Sequence, residues 1–520
     1  MKRRHIAISL IANLTFLFTS AQPVTTRFVD SVVNKALVTF NVPGIAVAIV
    51  SDNKVLLSKG YGFRSLEGRE KADENTLFGI ASNSKAFTAA ALAILVDEGK
   101  LKWDDKLVKY IPEFKMYEPY VTREFTIRDM LTHRSGLGPG AGDLLHNPDS
   151  TDFTIKDVIY ALRWLKPESS FRSRYTYDNI FYLVAAELIY RVSGERWGDF
   201  VHNHIMLPLQ MYRSNASYSR VKKDTNVIEG YDEIDGKLTR IQRDDAERDA
   251  GAGGIYASAD DMGKWMLAQL NNGRYGEHLE WQLFSAEAQE EMWKPQITLP
   301  VSKNDGYDSH FGAYGFGWFL NDAKGYKIVS HTGQDNGMIS EVLLIPELHV
   351  GITVLTNRDG GGAMRAIVDQ ITDCFLDVKG FDRIARWKAK VDMQSQATEK
   401  AKSRLQEFVD TSSFSNLKST YASKTGTYRD NWFGIVTICQ KDTRLYFSSK
   451  RSLQLHGQMF PLSQDSFLVR WDNRNLKADA IVVFENKGKM FTMKRATPET
   501  SVAYDFQDLL FQKQSDDTCK

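Results

Sequence analysis

The stretch FGIASNSKAF, residues 78–87, has Ser82 and Lys85 one helical turn apart at the start of a predicted helix. Because residues three apart lie on the same face of a helix, the Lys85 amine can reach the Ser82 hydroxyl. A hydroxyl is a poor nucleophile at neutral pH and needs such an activating neighbour. The residues that follow leave the helix almost no polar face as far as Glu98, so we expect it to be buried. The stretch therefore predicts either a reaction centre or an ordinary helix start.

The Ser-x-x-Lys spacing alone is not specific, because it occurs four times in the chain. The other three matches begin at Ser51, Ser219 and Ser415. Ser51 lies in a predicted hairpin turn, Ser415 lies in a polar stretch, and no apolar helix follows Ser219. Only Ser82 opens a long apolar helix, so its context selects this match as the candidate site.

A second candidate element is Tyr177-Asp178-Asn179, which contains the one Tyr-x-Asn of the chain and introduces a helix predicted over residues 178–193. A lysine close to a tyrosine favours the phenolate, which could then act as a base. The alternative is structural, with Tyr177 packed in the core and Asn179 capping the helix. Taken alone, the motif favours that structural interpretation.

A third element, Ser330-His331-Thr332-Gly333, ends one predicted strand and precedes two more. A glycine after a hydroxyl residue on an edge strand lets a substrate amide pair with the backbone. It also lets a backbone N–H point at a developing oxyanion. In isolation, His331 is better explained as a structural histidine at the surface or in the core.

The order of the predicted elements favours an α/β (α+β) fold. Strands are predicted over residues 45–60 and 317–356, and a helix over 363–376, whereas residues 103–270 consist mainly of predicted helices and loops. Strands at both ends with helices between them predict a sheet domain that is interrupted by a helical insertion.

The chain of 520 residues is too long for one compact core. We expect a signal peptide over residues 1–21, the sheet domain over 22–380 and a charged, partly helical linker over 381–418. Short predicted strands separated by turns indicate a small antiparallel β-sandwich or barrel over residues 419–520.

The N-terminus predicts export from the cytoplasm. Basic residues 1–4 precede an apolar run over residues 6–18 and small residues at 19–21, which is the pattern of a cleaved secretory signal. The apolar run is too short for a stable membrane span. We therefore expect a secreted or periplasmic protein.

Charge and cysteine content exclude some classes of partner. The 66 basic and 65 acidic residues give a net charge of +1, which provides no electrostatic case for nucleic acid or a membrane surface as a partner. Cys374, Cys439 and Cys519 lack zinc-ligand spacing. We expect structural or free cysteines, with one disulfide left open, and no metal or other cofactor. The sequence does not determine the oligomeric state.

In chain order, Ser82-x-x-Lys85, Tyr177-x-Asn179 and residues 331–333 resemble the three motifs of the serine β-lactamase and penicillin-binding-protein superfamily. The resemblance is strongest to the class C β-lactamase-related hydrolases, a branch that includes esterases and D-aminopeptidases. It implies the α/β fold of that superfamily and the chemistry of an acyl-enzyme.

The resemblance does not depend on the three motifs alone. Flanking sequences at residues 131–137, 253–261 and 314–318 agree with the same branch, so that the similarity covers about residues 24–376. Residues 421–495 resemble the lipocalin-like β domain that is often appended to such hydrolases.

By this resemblance, Ser82 is the acyl-forming nucleophile, Lys85 assists proton transfer and Tyr177 is the general base. Asn179 orients Lys85 and the substrate amide, and the oxyanion lies between the backbone N–H groups of Ser82 and Gln334. The substrate-binding residues that the resemblance implies are Asn179, His331, Thr332, Gly333 and Gln334.

Two features bear on the third motif. A literal Lys424-Thr425-Gly426, the form used by many superfamily members, lies in the C-terminal β region, so the motif is assigned to residues 331–333, which have the expected strand context. Histidine replaces lysine at 331, and a histidine near its reference pKa is often neutral, whereas a lysine holds a fixed positive charge. The departure disfavours efficient β-lactam hydrolysis.

The leading hypothesis is a secreted serine hydrolase that acts through an acyl-enzyme at Ser82 on an ester, an amide or a peptide, including peptides with a D-residue. The alternatives are a true β-lactamase or penicillin-binding DD-carboxypeptidase, and a catalytically silent binding protein of the same fold. For the C-terminal β region, a stabilising or oligomer-forming role is favoured over a cover on the catalytic cleft.

Overall fold

The computed structural model describes residues 24–148, 151–234, 236–243, 250–301, 306–411, 421–476, 478–497 and 504–516. The predicted signal peptide, Cys519 and the end of the predicted linker lie outside these residues.

The helices of the described residues are α1 (Thr26–Thr39), α2 (Ser84–Asp97), α3 (Pro119–Glu124), α4 (Ile127–Met130), α5 (Ile155–Ala161), α6 (Ile180–Ser193), α7 (Trp197–Val201), α8 (Tyr218–Val221), α9 (Ala259–Leu270), α10 (Ala286–Met292), α11 (Gly362–Phe375) and α12 (Arg383–Thr411). The strands are β1 (Gly44–Ser51), β2 (Lys54–Ser65), β3 (Glu70–Lys71), β4 (Phe78–Gly79), β5 (Gly230–Ile234), β6 (Lys237–Ile241), β7 (Tyr256–Ala257), β8 (Arg274–Tyr275), β9 (Trp281–Gln282), β10 (Ile297–Thr298), β11 (Gly312–Tyr314), β12 (Phe319–Ala323), β13 (Tyr326–Asp335), β14 (Met338–Ile345), β15 (Val350–Thr356), β16 (Gly426–Asp430), β17 (Gly434–Lys441), β18 (Arg444–Ser449), β19 (His456–Pro461), β20 (Ser466–Trp471), β21 (Ala480–Glu485), β22 (Met490–Arg495) and β23 (Leu510–Ser515).

A nine-stranded antiparallel sheet in the order β10-β11-β12-β13-β14-β15-β1-β2-β3 forms the first domain. The alternating side chains of β1 pack into two different cores, Ala46 and Ala48 on one face and Ile45 and Val47 on the other. Because both faces are covered, every residue of β1, β14 and β15 is buried and most of these residues are apolar. The predicted α/β architecture with a helical insertion is confirmed. In the sheet, β1 from the N-terminal part of the chain pairs with β15, which follows the insertion.

Helix α2 is buried, as the sequence predicts. Every residue from Ser84 to Leu95 is buried, and the Phe87 ring stacks on Trp265 of α9 at a centroid distance of 3.9 Å. The alanines of α2 have no side chain beyond Cβ, so neighbouring helices can approach its axis closely. The residues at its N-terminus are thereby held in a rigid, apolar surrounding.

The segment predicted as a charged linker forms helix α12. Its first half is attached to the sheet domain, because Ile384, Trp387 and Val391 pack against the same core as α1 and α11. Arg383 is buried and makes two hydrogen bonds of 2.6 Å to Asp373 of α11. The charged composition therefore reflects the solvated face of a long helix.

The C-terminal domain is a closed barrel of eight antiparallel strands, β16 to β23, with β23 pairing back onto β16. Five of these strands were predicted from the sequence, which did not distinguish a β-sandwich from a β-barrel. The structure shows a closed barrel. Within the described residues, no helix combines the length and apolar character needed to cross a membrane.

The barrel packs directly on the helical insertion of the first domain. Arg451 donates a hydrogen bond of 2.5 Å to Asp152 and one of 2.9 Å to Asp157, and its guanidinium lies 4.1 Å from the ring centre of Phe153. Thr151 forms an isolated antiparallel bridge with Ser452. The two domains therefore share a specific interface close to the loop that precedes α5.

Candidate active site

The turn that carries Ser82 is fixed on both sides by the backbone. Strand β4 pairs with β7, and the Ile80 N–H donates to the carbonyl of Ile255 at 2.9 Å. A single 3₁₀ turn, Ala81–Asn83, then leads into α2. Ala81 has a φ of 46°, a left-handed conformation that costs a non-glycine residue free energy and is found where surrounding structure enforces it. Ser82 is thus held at a strained, partly exposed corner in front of a buried helix.

Lys85 is fully buried behind Ser82, and its amine donates to three acceptors. These are Ser82 Oγ at 3.0 Å, Asn179 Oδ1 at 2.8 Å and the backbone carbonyl of Ala252 at 3.1 Å. The amine also lies 4.9 Å from the ring centre of Tyr177, a distance that favours a positive charge. An ammonium has three N–H donors, so each of them has an acceptor here.

The Tyr177 hydroxyl lies 2.8 Å from Ser82 Oγ, so that the first two motifs meet at one oxygen atom. Burial raises the pKa of Tyr177 above its ordinary value, and the nearby Asp143 and Asp178 act in the same direction against the lowering effect of the Ser82 hydrogen bond. The resting form is therefore the neutral phenol. The sequence-based expectation of a partly ionised tyrosine was wrong on this point, because desolvation outweighs the hydrogen bond with Ser82 and the two carboxyl groups act in the same direction as desolvation.

Asn179 connects Lys85 to an acidic residue that the sequence analysis missed. Its Oδ1 accepts from Lys85, and its Nδ2 donates to Asp143 Oδ1 at 3.1 Å. Asp143 Oδ1 also lies 3.1 Å from His146 Nε2. This chain of contacts fixes which way the Asn179 amide faces, with its oxygen towards Lys85.

The third motif lies on β13, opposite the Ser82 turn. Strand β12 pairs with β13 only up to Phe319↔Ser330, so residues 331–335 have no register partner on that side. On the other side they pair with β14, from His331↔Val342 to Asp335↔Met338. Thr332 is partly exposed and Gln334 is exposed on this free edge. The edge is therefore open to a substrate backbone, as the sequence predicts.

Gly333 allows the close approach of β13 to the turn before Ser82. A Cβ atom at this position would lie 2.0 Å from the carbonyl oxygen of Ile80, so only glycine fits without moving the backbone. The Gln334 side chain donates from Nε2 to Asp359 Oδ1 at 2.7 Å. The strand that supplies the implied oxyanion donor is thus locked against the nucleophile turn.

The His331 side chain is 1% exposed and packs against the rings of Tyr314 and Phe319. Its Nδ1 lies 2.7 Å from the carbonyl of Thr332, which can only accept, and its Nε2 lies 3.0 Å from the Tyr314 hydroxyl. Burial, followed by the charge of Lys85, lowers the pKa of His331 well below its ordinary value. The ring is therefore neutral, with its proton on Nδ1, and the substrate-binding role that the resemblance implies for His331 stays a prediction.

A buried polar cluster lies behind Tyr177. Asp178 accepts a hydrogen bond of 3.3 Å from the Ser135 hydroxyl, and its Oδ1 lies 3.6 Å from His133 Nδ1. The His133 ring in turn lies 4.4 Å from the ring of Tyr177. Burial, followed by the charge of Asp143, raises the pKa of Asp178 to about 8. Asp178 is thus a protonated carboxyl group at neutral pH.

The structure brings together the residues of all three predicted motifs, Ser82, Lys85, Tyr177, Asn179 and the 331–334 strand. The sequence analysis missed Asp143, Asp178, His133 and Tyr314. His133 and Tyr314 lie in the flanking stretches that carried the resemblance, but Asp143 had no comparable signal. In the described part of the chain, no group of three or more His, Cys, Asp or Glu side chains is arranged to hold a metal ion.

The arrangement has the elements required for acyl transfer. A serine oxygen contacts both a lysine amine and a tyrosine hydroxyl, and an open strand edge lies beside it. Proton transfer, covalent attack and backbone recognition can therefore occur at one place. None of these steps requires a bound group beyond the chain itself.

Comparisons with known proteins agree with this geometry. The family described as Beta-lactamase matches residues 29–373, and a family described as a domain of unknown function, DUF3471, matches residues 418–513. The unguisins hydrolase ungD' of Aspergillus campestris is 26% identical over 467 residues, which cover 87% of this chain and 85% of that protein. Protein flp of Staphylococcus aureus is 26% identical over 359 residues, which cover 69% of this chain and 68% of flp.

Among solved structures, the octameric penicillin-binding protein homologue from Pyrococcus abyssi matches with a TM-score of 0.60 and 22% identity, covering 94% of this chain and 100% of that one. At this identity the likeness concerns the fold, which in both cases extends over nearly the whole chain. Since the Beta-lactamase match covers well over half of the sequence and its motifs converge on one serine, the chain belongs to the β-lactamase and penicillin-binding-protein type of serine hydrolase family.

Proposed function

We propose that the protein is an exported serine hydrolase that forms an acyl-enzyme at Ser82 on an ester or an amide, with peptides that contain a D-residue among its substrates. The observation that carries the proposal is the convergence of the Lys85 amine, at 3.0 Å, and the Tyr177 hydroxyl, at 2.8 Å, on Ser82 Oγ. Export rests on the predicted signal sequence over residues 1–21.

In the acylation step, Ser82 Oγ attacks the substrate carbonyl carbon while its proton passes to the ionised Tyr177 oxygen. The carbonyl oxygen becomes an oxyanion, which receives the backbone N–H groups of Ser82 and Gln334. Tyr177 then returns the proton to the leaving alcohol or amine as its bond to carbon breaks. In deacylation, water attacks the acyl carbon and gives a proton to the ionised Tyr177 oxygen. The bond between the acyl carbon and Ser82 Oγ then breaks, Tyr177 returns the proton to Ser82 Oγ, and the acid leaves.

The charge around the site supports neutral ester and amide substrates over β-lactams. A substrate carboxylate needs a fixed cation beside it, and the neutral, buried His331 provides none at the position where lysine is usual in β-lactamases. A hydrolytic role is also supported by the relative named unguisins hydrolase, which aligns along most of both chains.

The direct test is covalent labelling of the purified protein with a serine-reactive phosphonate, followed by mass spectrometry of the tryptic peptide that contains residue 82. We expect stoichiometric labelling of wild-type protein and none of Ser82→Ala. The matched control is Ser219→Ala, since Ser219 begins another Ser-x-x-Lys match outside the site. Labelling that persists in Ser82→Ala would refute the assignment of the nucleophile.

Two substrate measurements separate the alternatives. A panel of chromogenic esters with D- and L-aminoacyl anilides is expected to include substrates that depend on Ser82. Turnover of nitrocefin, or trapping of a fluorescent penicillin at Ser82, at rates above those of the esters would instead favour a β-lactamase or penicillin-binding peptidase. Absence of phosphonate labelling in folded wild-type protein would favour the catalytically silent binding protein.

A further inference from the structure

The barrel domain supplies a buried carboxyl group to the loop beside the candidate active site. Asp505 lies between β22 and β23, next to the 3₁₀ turn Phe506–Asp508, and is fully buried. Its Oδ2 accepts from the Gly142 N–H at 2.7 Å, and its Oδ1 accepts from the Leu144 N–H at 2.9 Å. Both donors belong to the hydrolase domain, so one side chain of the barrel binds two backbone groups across the domain interface.

The residue between those two donors is Asp143, the acceptor for Asn179. Asn179 in turn receives the Lys85 amine, and Lys85 donates to Ser82 Oγ. Asp505 therefore lies at the outer end of a continuous series of hydrogen bonds that ends at the nucleophile. Asp505 and Asp143 are linked through the backbone amides on either side of Asp143, so that a shift of these amides would move the Asp143 side chain with them.

The loop around Asp143 is held by backbone hydrogen bonds within residues 138–147, by the buried side chains of Leu144 and Leu145, and by Asp505 of the barrel. Its regular structure is one 3₁₀ turn, Asp143–Leu145, entered through Gly142 at a φ of 82°. A Cβ at Gly142 would lie 2.3 Å from Ile180 Cδ1, so the backbone at this point packs tightly against the start of α6. A displaced loop would carry Asp143 away from Asn179, which follows the same helix start. The two N–H bonds to Asp505 hold both ends of this short turn.

We propose that Asp505 is a positioning residue for the hydrolase site and that the barrel is a working part of that site. This proposal rests on the proposed function, because it is through Asn179 and Lys85 that Asp505 acts on Ser82. This role differs from general docking of the two domains. Arg451, for example, also lies at the interface, but it binds Asp152 before α5 and Asp157 within α5.

The test uses the full-length protein and three single variants. Asp505→Asn keeps the shape of the side chain but replaces one acceptor oxygen with an N–H₂ group that faces a backbone donor. Asp430→Asn is the matched control, because Asp430 is also a buried barrel carboxylate that accepts backbone N–H groups, in its case from Trp432, Phe433 and Leu510 within the barrel. Arg451→Ala is the control for domain docking.

Two readouts are measured on each folded variant, the rate of Ser82 phosphonylation and the hydrogen exchange of the peptide that covers residues 138–147. We expect Asp505→Asn to slow labelling by about 10- to 100-fold, the scale expected when a reacting group is misplaced by about 1 Å, and to raise exchange in that peptide. Asp430→Asn and Arg451→Ala are expected to lower the melting temperature while leaving the labelling rate unchanged. In an Asp143→Ala background, Asp505→Asn is expected to slow labelling no further, since coupled residues are not additive.

Unchanged exchange at residues 138–147 in Asp505→Asn would overturn the proposal, whatever the activity. A loss of labelling that is equally large in the Asp143→Ala background, or equally large in Asp430→Asn, would also overturn it. If wild-type protein is not labelled at Ser82, the proposed function fails, and the exchange measurement still decides whether Asp505 positions the turn. Asp505→Ser is the second variant if the asparagine protein does not remain folded, because a hydroxyl presents no amide group to the two donors.

Discussion

Asp178 is a buried carboxyl group without a cationic partner, and its replacement by asparagine should change how stability depends on pH. Its neighbours include the Ser135 hydroxyl at 3.3 Å, the Phe181 N–H and His133 Nδ1 at 3.6 Å, and the His133 ring is itself neutral because burial lowers its pKa. Burial and the charge of Asp143 raise the folded-state pKa of Asp178 to about 8, from an unfolded value near 3.8.

The direction in which stability changes with pH follows from proton linkage. Between these two pKa values the folded state holds a proton that the unfolded state has released, so stability is full below the unfolded pKa and is lost as pH rises towards 8. A group with a shifted pKa contributes about 1.4 kcal/mol per pH unit inside its window. Between pH 5 and pH 7 the wild-type protein should therefore lose about 3 kcal/mol of unfolding free energy through Asp178.

The assay is urea unfolding of wild-type protein and Asp178→Asn at pH 5, 6, 7 and 8. The asparagine side chain resembles the protonated acid in shape and charge, so the variant lacks the titration. We expect the wild-type advantage to fall by up to about 1.4 kcal/mol per pH unit. Wild-type and variant curves that run parallel with pH would refute the assignment of a protonated Asp178.

Asp129 provides the control with the opposite electrostatic surrounding. It is equally buried, but burial is outweighed by hydrogen bonds from Arg172 and Thr126 and by the charge of Arg134, so the pKa of Asp129 is lowered. A lowered pKa gives stability that is present above the unfolded value and is lost only as pH falls through the folded one. Asp129→Asn should therefore lower the free energy of unfolding by about 3–5 kcal/mol, the scale for a broken buried ion pair. This loss should be the same at every pH from 5 to 8.

Three further predictions concern the nucleophile. Lys85→Met removes the N–H donor to Ser82 at similar side-chain length and should slow phosphonate labelling by about 10²–10⁴-fold; labelling at the wild-type rate would exclude a role for the amine. Because the pKa of Tyr177 is raised, the labelling rate should rise with pH from 7 to 9 without a plateau, and Tyr177→Phe should abolish that rise in stopped-flow traces over the same range. Gly333→Ala places a Cβ against the carbonyl of Ile80, and it should lower both the labelling rate and the free energy of unfolding, the latter by about 1–3 kcal/mol; an unchanged melting temperature would contradict this.

The sheet domain could be predicted from local patterns because its central strands and α2 are apolar on all sides. Strands β1, β14 and β15 are buried along their whole length, which produces apolar runs that no loop shows. The barrel was harder to predict, since β23 (Leu510–Ser515) has two apolar residues followed by four polar ones and so lacks the alternation of a half-buried strand. Its pairing with β16 closes the barrel across some eighty residues of chain, and no local pattern encodes such a contact.

Some residues of the candidate site could be predicted from local sequence patterns and others could not. Ser82, Lys85, Tyr177 and Asn179 lie at helix starts, where spacing places functional groups on one side, and a sequence pattern can find them. Asp143 lies in an irregular loop with no periodicity, and its importance arises only from its contact with Asn179. The raised pKa of Tyr177 was missed for a related reason, because desolvation depends on everything that packs around the ring and cannot be read from one neighbouring lysine.

The contacts of Lys85 also bear on which group acts as the base. An amine that donates to Ser82 Oγ, Asn179 Oδ1 and the Ala252 carbonyl uses all three of its N–H bonds as an ammonium and has no lone pair left to accept a proton. With Lys85 as an ammonium, the proposed base is Tyr177, whose pKa is raised by burial. We infer that the lysine contributes by stabilising the negative charge that forms on the tyrosine and serine oxygens. Lys85→Arg keeps the positive charge but loses the hydrogen-bond geometry of the amine, so it should be less active than the wild-type protein.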